Sequence, residues 1–171
     1  GAEIPFMRPK ELAQDETPGI EPILHCVKWI IENENFYPDY TCTLQCTSPF
    51  RKAKDIDEAL EIIIKKDSDS IIGVCESEVS PYWMKKVKNG KLKDFIEDGP
   101  IYARRQDMPR IYRLNGAIYI GKTDILIKNK SWHTDNTIPY IMNRIDSIDV
   151  DDLVDFKFAE FLMKERITGE K

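Results

Sequence analysis

The sequence lacks any apolar run long enough to cross a bilayer. Its longest runs, such as EIIIK and SIIGVC, fall far short of the ~20 residues that a membrane-spanning helix needs. It also has no basic and apolar leader followed by small residues, so we expect no secretion and a cytoplasmic protein. The 171 residues correspond to a single domain, residues 1–171, with room for a sizeable core.

Histidine is scarce, and the cysteines never occur as C-x-x-C. The only histidines are His25 and His133, which excludes a multi-histidine metal site. The cysteines lie within apolar helix or strand patterns, so we expect free, buried thiols in a reducing compartment. These four cysteines are Cys26, Cys42, Cys46 and Cys75.

Excess positive charge is also absent. The net charge is −5, with 42% hydrophobic and 32% charged residues, a composition typical of a soluble globular domain. An acidic chain is a poor match for the phosphate backbone, which argues against a general nucleic-acid surface.

The chain alternates between helical and strand patterns. IEPILHCVKWIIENEN and DIDEALEIIIKKD have helical spacing, whereas YTCTLQC and SIIGVCES read as strands. Strand, helix and strand in this order predict a right-handed crossover between parallel strands. NGAIYIG and IPYIM then predict two further strands, KTDILIKN a short helix, and DDLVDFKFAEFLMKERI an amphipathic last helix. The fold class is therefore α/β.

The stretch from 79 to 113 differs in character. SPYWMKKVKNGKLKDF predicts a hairpin around Asn89-Gly90, with aromatic residues on both arms. ARRQDMPRIYR comes next and is locally basic. We expect an inserted, β-rich arm that extends from the sheet.

The acidic run DSIDVDDLVD at 146–155 is either a solvated face or a cation site. Asp149 and Asp151 are two apart in an extended segment, so their side chains leave the same face of the chain. Two carboxylates on one face suit a hard divalent cation such as Mg²⁺. Asp152 and Asp155 fall in the first helical turn, where carboxylates offset the helix dipole.

The segment LQCTSPFR at 44–51 ends a predicted strand. Gln45 comes at the carboxyl end of that strand, the edge where open α/β sheets bind ligands. An amide there has no packing role, which favours a functional one. Thr47 offers a further hydroxyl, whereas we expect only turn chemistry from Ser48 and Pro49.

RRQDMPRIYRLNGAIYI at 104–120 contains four arginines within ten residues. Guanidinium groups pair bidentately with carboxylates and phosphates. A site for a small organic acid and a solvated basic face both fit this pattern.

Together these segments resemble the acylneuraminate cytidylyltransferases, also called CMP-sialic acid synthetases. Four blocks match in order: GAEIPFMRPKELAQDETPGIEPILHCV, LQCTSPFR, RRQDMPRIYRLNGAIYI and YIMNRIDSIDVDDLVDFKFAE. The resemblance implies a three-layer, Rossmann-like nucleotidyltransferase sheet whose inserted arm, roughly 79–113, serves in dimerisation. It also implies a homodimeric enzyme that joins CTP to a nine-carbon 2-keto sugar acid, releases pyrophosphate and requires Mg²⁺.

The resemblance extends to single residues. Asp149 and Asp151 match the family's metal-binding aspartates. Arg105 matches an arginine that the partner subunit presents to the sugar carboxylate.

The remaining matched positions belong to the family's sugar site. Gln45 matches a glutamine that binds the sugar, and Asn115 and Tyr119 match positions that line its pocket. In SWH, Trp132 and His133 take the place of an aromatic pair that packs on the sugar.

One departure concerns the nucleotide. The family begins with a strand and a glycine-, lysine- and arginine-rich loop that holds the triphosphate of CTP, whereas this chain opens at GAEIPFMRPKELA, which in the family comes after that region. The chain thus resembles the C-terminal portion, and we expect it to be inactive alone. A metal-dependent D-x-D glycosyltransferase and a non-catalytic sugar-acid-binding dimer module are the alternatives. The sugar acid is left open among N-acetylneuraminic, legionaminic and pseudaminic acids.

Overall fold

A four-stranded mixed sheet forms the centre of the molecule, seen in a computed structural model that describes residues 1–97 and 104–169. Among these residues no helix is long and apolar enough to span a bilayer. The sheet strands are β1 (Tyr40–Thr43), β2 (Ser70–Glu76), β5 (Tyr112–Lys122) and β6 (Thr137–Ile141), and β3 (Lys85–Lys88) and β4 (Lys91–Asp94) form a separate hairpin. The helices are α1 (Ile20–Glu34), α2 (Ala53–Lys66), α3 (Thr123–Asn129) and α4 (Leu153–Thr168).

The strand order is β1-β5-β2-β6. β5 is antiparallel to both of its neighbours, whereas β2 and β6 are parallel. β1 and β2 therefore run in the same direction, as the strand–helix–strand pattern predicts, but they are not adjacent because β5 lies between them. The predicted first strand is also shorter than expected: it ends at Thr43, which leaves Gln45 in the loop after it.

The core lies between α2 and the sheet. Ala59 and Ile63 on α2 are fully buried and belong to one apolar cluster with Ile71, Ile118 and Ile120. Each buried isoleucine stabilises the fold by about 1.5–3 kcal/mol. Ile64, the residue after Ile63, points away from this cluster and is 54% exposed.

A bulge interrupts the pairing of β2 and β5 beside Asn115-Gly116, where the register shifts between Ile72 and Val74. Gly116 has a φ of +69°, and the Asn115 Oδ1 atom accepts the Ala117 N–H at 3.1 Å. β5 therefore turns locally, as bulges next to binding sites commonly do.

The predicted hairpin in the inserted arm is confirmed. β3 and β4 pair antiparallel around Asn89 and Gly90, whose φ angles are 52° and 72°. Two successive positive φ angles are what a two-residue hairpin turn requires. Tyr102, another aromatic residue of the arm, lies outside the described residues.

Helix α4 differs from the expected one-sided amphipathic helix. Among its described residues only Ala159 is fully packed against the protein. Large apolar side chains project from several other sides, and each is at least half exposed: Leu153, Val154, Phe156, Phe158, Phe161 and Ile167.

The four cysteines are free, but the expectation that all are buried is wrong. Cys75 is buried in β2 and Cys26 is half-buried on α1. Cys42 and Cys46 are exposed, because β1 is an edge strand and Cys46 lies in the loop after it.

Candidate functional site

The acidic segment lies against the loop after β1. The Val150 backbone N–H donates to the Thr47 carbonyl oxygen at 2.9 Å. The Ser48 hydroxyl, which is fully buried, lies 3.3 Å from the Asp149 Oδ1 atom. These contacts place Asp149 beside the carboxyl end of β1.

Arg51 holds this loop in shape. One of its terminal guanidinium nitrogens donates to the carbonyl oxygens of Gln45 at 2.7 Å, Ser48 at 2.9 Å and Ala117 at 3.3 Å. A tight turn leaves carbonyls without backbone partners, and the arginine satisfies them. The sequence gives no signal for this role, since the same residue type is equally common on solvated faces.

Gln45 lies directly over the bulge glycine. A Cβ atom at Gly116 would come within 2.3 Å of the Gln45 Oε1 atom and 2.8 Å of the Ser48 Oγ atom. Only glycine allows this approach, because the positive φ and the close contact both exclude a side chain. The Gln45 side chain remains exposed, so its amide is accessible to a ligand.

Asn115, which the sequence predicts to line the sugar pocket, is buried in the protein. It is 1% exposed, and its Nδ2 atom donates to the Ser147 hydroxyl at 2.9 Å and contacts the Met142 sulfur at 3.1 Å. Both ends of the amide are thus engaged within the protein. Its predicted contact with a sugar remains a prediction.

Tyr119 connects the predicted aromatic wall with the acidic segment. Its ring centroid lies 5.8 Å from that of Trp132 in a tilted arrangement. Burial and the negative charge of Asp149 raise the pKa of the Tyr119 hydroxyl. In the sheet, Tyr119 pairs with Thr43, the last residue of β1. His133 is exposed, and its backbone N–H donates to the Ser131 hydroxyl at 3.0 Å.

The acidic run divides into separate roles. Asp152 caps α4, since its Oδ1 atom accepts the N–H groups of Val154 at 2.7 Å and Asp155 at 2.9 Å. In return, the Asp155 Oδ2 atom accepts the backbone N–H of Asp152 at 3.3 Å, and it also accepts that of Asp151 at 3.1 Å. The predicted helix-stabilising pair is confirmed as a capping box. Asp149 is half-buried and Asp151 is exposed.

Asp146 has a role that the sequence did not reveal. It is 4% exposed, lies 2.9 Å from the Lys52 ammonium and also pairs with Arg166. Burial works to raise the pKa of this carboxyl, but hydrogen bonds from Lys52, Asn143 and Arg166 hold it below its ordinary value. Asp146 thereby fastens the start of the acidic segment to α4 and to the residue before α2.

The donor set at Asp149 and Asp151 fits a hard cation that takes only part of its ligands from protein. Neither carboxylate forms an ion pair with a lysine or arginine of the described residues. Within those residues no three Cys, His, Asp or Glu side chains gather as a complete metal cage. Mg²⁺ prefers one or two carboxylates together with water and phosphate oxygens.

No family model matches the chain. Among curated proteins it is 33% identical, over 168 residues, to the CMP-N,N'-diacetyllegionaminic acid synthase of Legionella pneumophila, with 96% of this chain and 70% of that relative covered. The chain belongs to the acylneuraminate cytidylyltransferase family. The covered part of these relatives is their C-terminal portion.

Two more distant likenesses agree with membership of the acylneuraminate cytidylyltransferase family. The N-acylneuraminate cytidylyltransferase of Streptococcus agalactiae is 32% identical over 151 residues, which are 88% of this chain and 35% of that protein. A solved CMP-2-keto-3-deoxy-manno-octonic acid synthetase complexed with CTP matches with a TM-score of 0.59 at 15% identity, covering 89% of this chain and 70% of that one. This likeness confirms the Rossmann-like nucleotidyltransferase fold.

Only part of the family's predicted site is brought together. Gln45 and Asp149 both lie beside Ser48 near Gly116, and Tyr119 pairs with Thr43 at the end of β1. The sequence predicts only a turn-forming role for Ser48. Its contact with Asp149 joins residues far apart in the chain, and no local sequence pattern signals it.

The structure shows separate local partners for two of the four arginines. Arg105 begins a short 3-10 helix, Arg105–Asp107, and its side chain lies outside the described residues. Arg104 pairs with Asp107 at 2.8 Å, and Arg113 pairs with Glu78 at 3.3 Å. These two arginines serve local ion pairs, and the contact of Arg105 with a sugar carboxylate stays a prediction.

Proposed function

We propose that this chain is the sugar-acid- and metal-binding part of a cytidylyltransferase. The substrates would be CTP and a nine-carbon 2-keto sugar acid of the sialic acid type. The supporting observation is that Gln45 and Asp149 both lie beside Ser48 at the carboxyl end of β1, where Tyr119 pairs with Thr43, in a chain whose relatives are named for CMP-sugar synthesis. The anomeric hydroxyl oxygen bonds to the α-phosphorus, the bond from that phosphorus to the bridging oxygen breaks, pyrophosphate leaves, and the hydroxyl proton passes to solvent.

The residues of the chain bind and orient the sugar acid. The exposed amide of Gln45 hydrogen-bonds the sugar hydroxyls, and the neighbouring rings of Tyr119 and Trp132 form a wall for its apolar face. His133, exposed beside Trp132, extends that wall. Arg105 of the partner subunit pairs with the carboxylate. Catalysis rests on positioning the hydroxyl and stabilising charge.

Asp149 and Asp151 would hold Mg²⁺. When bound, the ion supplies charge neutralisation at the phosphates and lowers the pKa of the attacking hydroxyl. The Asp149 carboxylate is held by the Ser48 hydroxyl, and the Asp151 backbone N–H donates to Asp155. The protein would thus supply two oxygen ligands to a site that the nucleotide completes.

The inserted arm, roughly 79–113, carries Arg105. If Arg105 binds the sugar acid of a neighbouring subunit, the protein must be a homodimer. The hairpin and its flanks leave Trp83, Val87, Leu92 and Phe95 between 44% and 73% exposed. A twofold mate would cover this surface and bring the arm to the other subunit's sugar site. Light scattering should show a dimer at micromolar concentration, and a monomer would contradict this assignment.

Pyrophosphate release tests the proposed activity. The 171-residue chain should release none, because the family's triphosphate loop precedes the matched region. A version extended by the corresponding N-terminal segment of the Legionella pneumophila relative should release pyrophosphate from CTP when Mg²⁺ and a nine-carbon sugar acid are present. N-Acetylneuraminic, legionaminic and pseudaminic acids would be compared.

Controls of the pyrophosphate assay, together with tests of sugar transfer and of sugar-acid binding, separate the proposed cytidylyltransferase from the two alternative functions. Omission of the sugar acid, or of Mg²⁺, is the control and should abolish release. Transfer of a sugar from a sugar nucleotide, without pyrophosphate, would identify a glycosyltransferase instead. Sugar-acid binding with no turnover in the extended chain would identify a binding module.

A further inference from the structure

Ser48 lies between Asp149, a candidate metal ligand, and Gln45, a candidate sugar-binding residue. Its side chain is 0% exposed, and its Oγ atom lies 3.1 Å from the Asn115 carbonyl oxygen and 3.3 Å from the Asp149 Oδ1 atom. It also lies where a Cβ atom of Gly116 would come, next to Gln45. Turn formation needs none of these contacts, because the turn is already closed by the Ser48 N–H to the Gln45 carbonyl oxygen.

The hydroxyl has one proton and two acceptors within reach. It can donate to the Asp149 carboxylate or to the Asn115 carbonyl oxygen, but it makes only one of these bonds fully at a time. Since the carboxylate carries charge, donation to it is the stronger bond. A carboxylate held on one oxygen presents its other oxygen in a defined direction.

We propose that Ser48 is a positioning residue that orients the Asp149 carboxylate for a hard cation. This inference rests on the proposed function, in which Asp149 and Asp151 hold Mg²⁺. Hydrogen bonds to a ligating carboxylate set its orientation, and their loss typically reduces metal affinity ~10–100-fold.

Terbium luminescence can test this on the 171-residue chain, without turnover. Tb³⁺ takes oxygen ligands like other hard cations, and the expected sensitisers of its emission are the rings of Tyr119, which lies opposite Thr43 at the end of β1, and of its neighbour Trp132. Displacement by Mg²⁺ would show that both ions use one site. In Ser48→Ala and Ser48→Cys the half-saturating Tb³⁺ concentration should rise about tenfold or more.

Ser48→Cys and two further variants separate orientation from packing. Ser48→Cys keeps the side-chain volume but donates weakly, whereas Ser48→Thr keeps the hydroxyl and should restore Tb³⁺ affinity toward the parent value. Thr123→Val removes another fully buried hydroxyl, which lies 2.9 Å from that of Thr41, away from the acidic segment. It should lower the melting temperature without changing Tb³⁺ affinity.

The outcomes distinguish failure of the inference about Ser48 from failure of the proposed metal pair, Asp149 and Asp151. If Asp149→Asn abolishes sensitised emission but Ser48→Ala and Ser48→Cys bind Tb³⁺ like the parent, the metal pair stands and the role of Ser48 is wrong. The same holds if Thr123→Val weakens binding as much as Ser48→Ala. If emission is indifferent to Asp149→Asn, the metal pair itself is wrong, and the inference about Ser48 fails with it.

Discussion

Val150 donates its backbone N–H to the carbonyl oxygen of Thr47 at 2.9 Å. This single bond joins the segment that carries the two candidate metal ligands to the loop that carries Gln45. Ser48 and Asp146 reinforce the same junction from either side. The site is therefore sensitive to changes that leave every proposed ligand intact.

The first prediction concerns the division of the acidic run. In the extended chain, Asp149→Asn and Asp151→Asn should each abolish most pyrophosphate release, because each removes a charged ligand from the cation. Asp152→Ala should keep activity but lose about 1 kcal/mol of stability, since it removes the acceptor for two helix N–H groups. Pyrophosphate release and melting temperature would be measured for all three.

Asp152→Asn is the matched control, because asparagine caps a helix nearly as well as aspartate. It should resemble the parent in both measurements. Equal loss of activity in the three aspartate variants would show that the run acts as one acidic surface.

The second prediction concerns Gly116. In Gly116→Ala the new methyl group meets Gln45 and Ser48, and the φ of +69° adds backbone strain. We expect a loss of about 1–3 kcal/mol in stability and a higher KM for the sugar acid, because the Gln45 amide is displaced. Chemical denaturation and sugar-acid kinetics in the extended chain would measure the two effects.

Gly169→Ala separates strain from displacement. Gly169 has a φ of +70° with no atom within 4 Å of its added methyl group, so that variant should lose some stability without any change in the sugar KM. An unchanged KM in Gly116→Ala would remove Gln45 from the sugar site.

The third prediction concerns the buried carboxylate of Asp146. Asp146→Asn leaves the partly exposed Lys52 and Arg166 without their shared partner, and losing hydrogen bonds to a charged group costs about 1.5–3 kcal/mol. The folded-state pKa of Asp146 is lowered, so its contribution is complete above the unfolded value and disappears as the pH falls through the folded one.

Denaturation of the parent chain and of Asp146→Asn across a pH series measures the difference between their free energies of unfolding. It should stay constant from about pH 7 to pH 5 and shrink below about pH 4, where the carboxyl becomes protonated. Asp67→Asn, whose pair with Lys122 is at the surface, should show almost no difference. A difference for Asp146→Asn that grows on acidification would contradict the assigned role of this carboxylate.

The fourth prediction concerns Arg105. In the extended chain, Arg105→Ala should raise the KM for the sugar acid about tenfold to a hundredfold, because a charge-assisted bidentate pair contributes about 1.5–3 kcal/mol. Steady-state kinetics would be compared with Arg104→Ala, whose side chain already pairs with Asp107 and should leave the KM unchanged. Similar kinetics for the two variants would exclude Arg105 from the site.

The sequence alone determined the α/β alternation, the hairpin at Asn89-Gly90, the capping pair Asp152 and Asp155, and the family. These features depend on local spacing or on collinear blocks, which a chain displays without folding. Tertiary structure alone decided that β5 separates β1 from β2, that Asp146 is buried between Lys52 and Arg166, and that Ser48 lies against Asp149. Each of these joins residues far apart in sequence, and a buried hydroxyl or ion pair is specified by packing rather than by any periodic pattern.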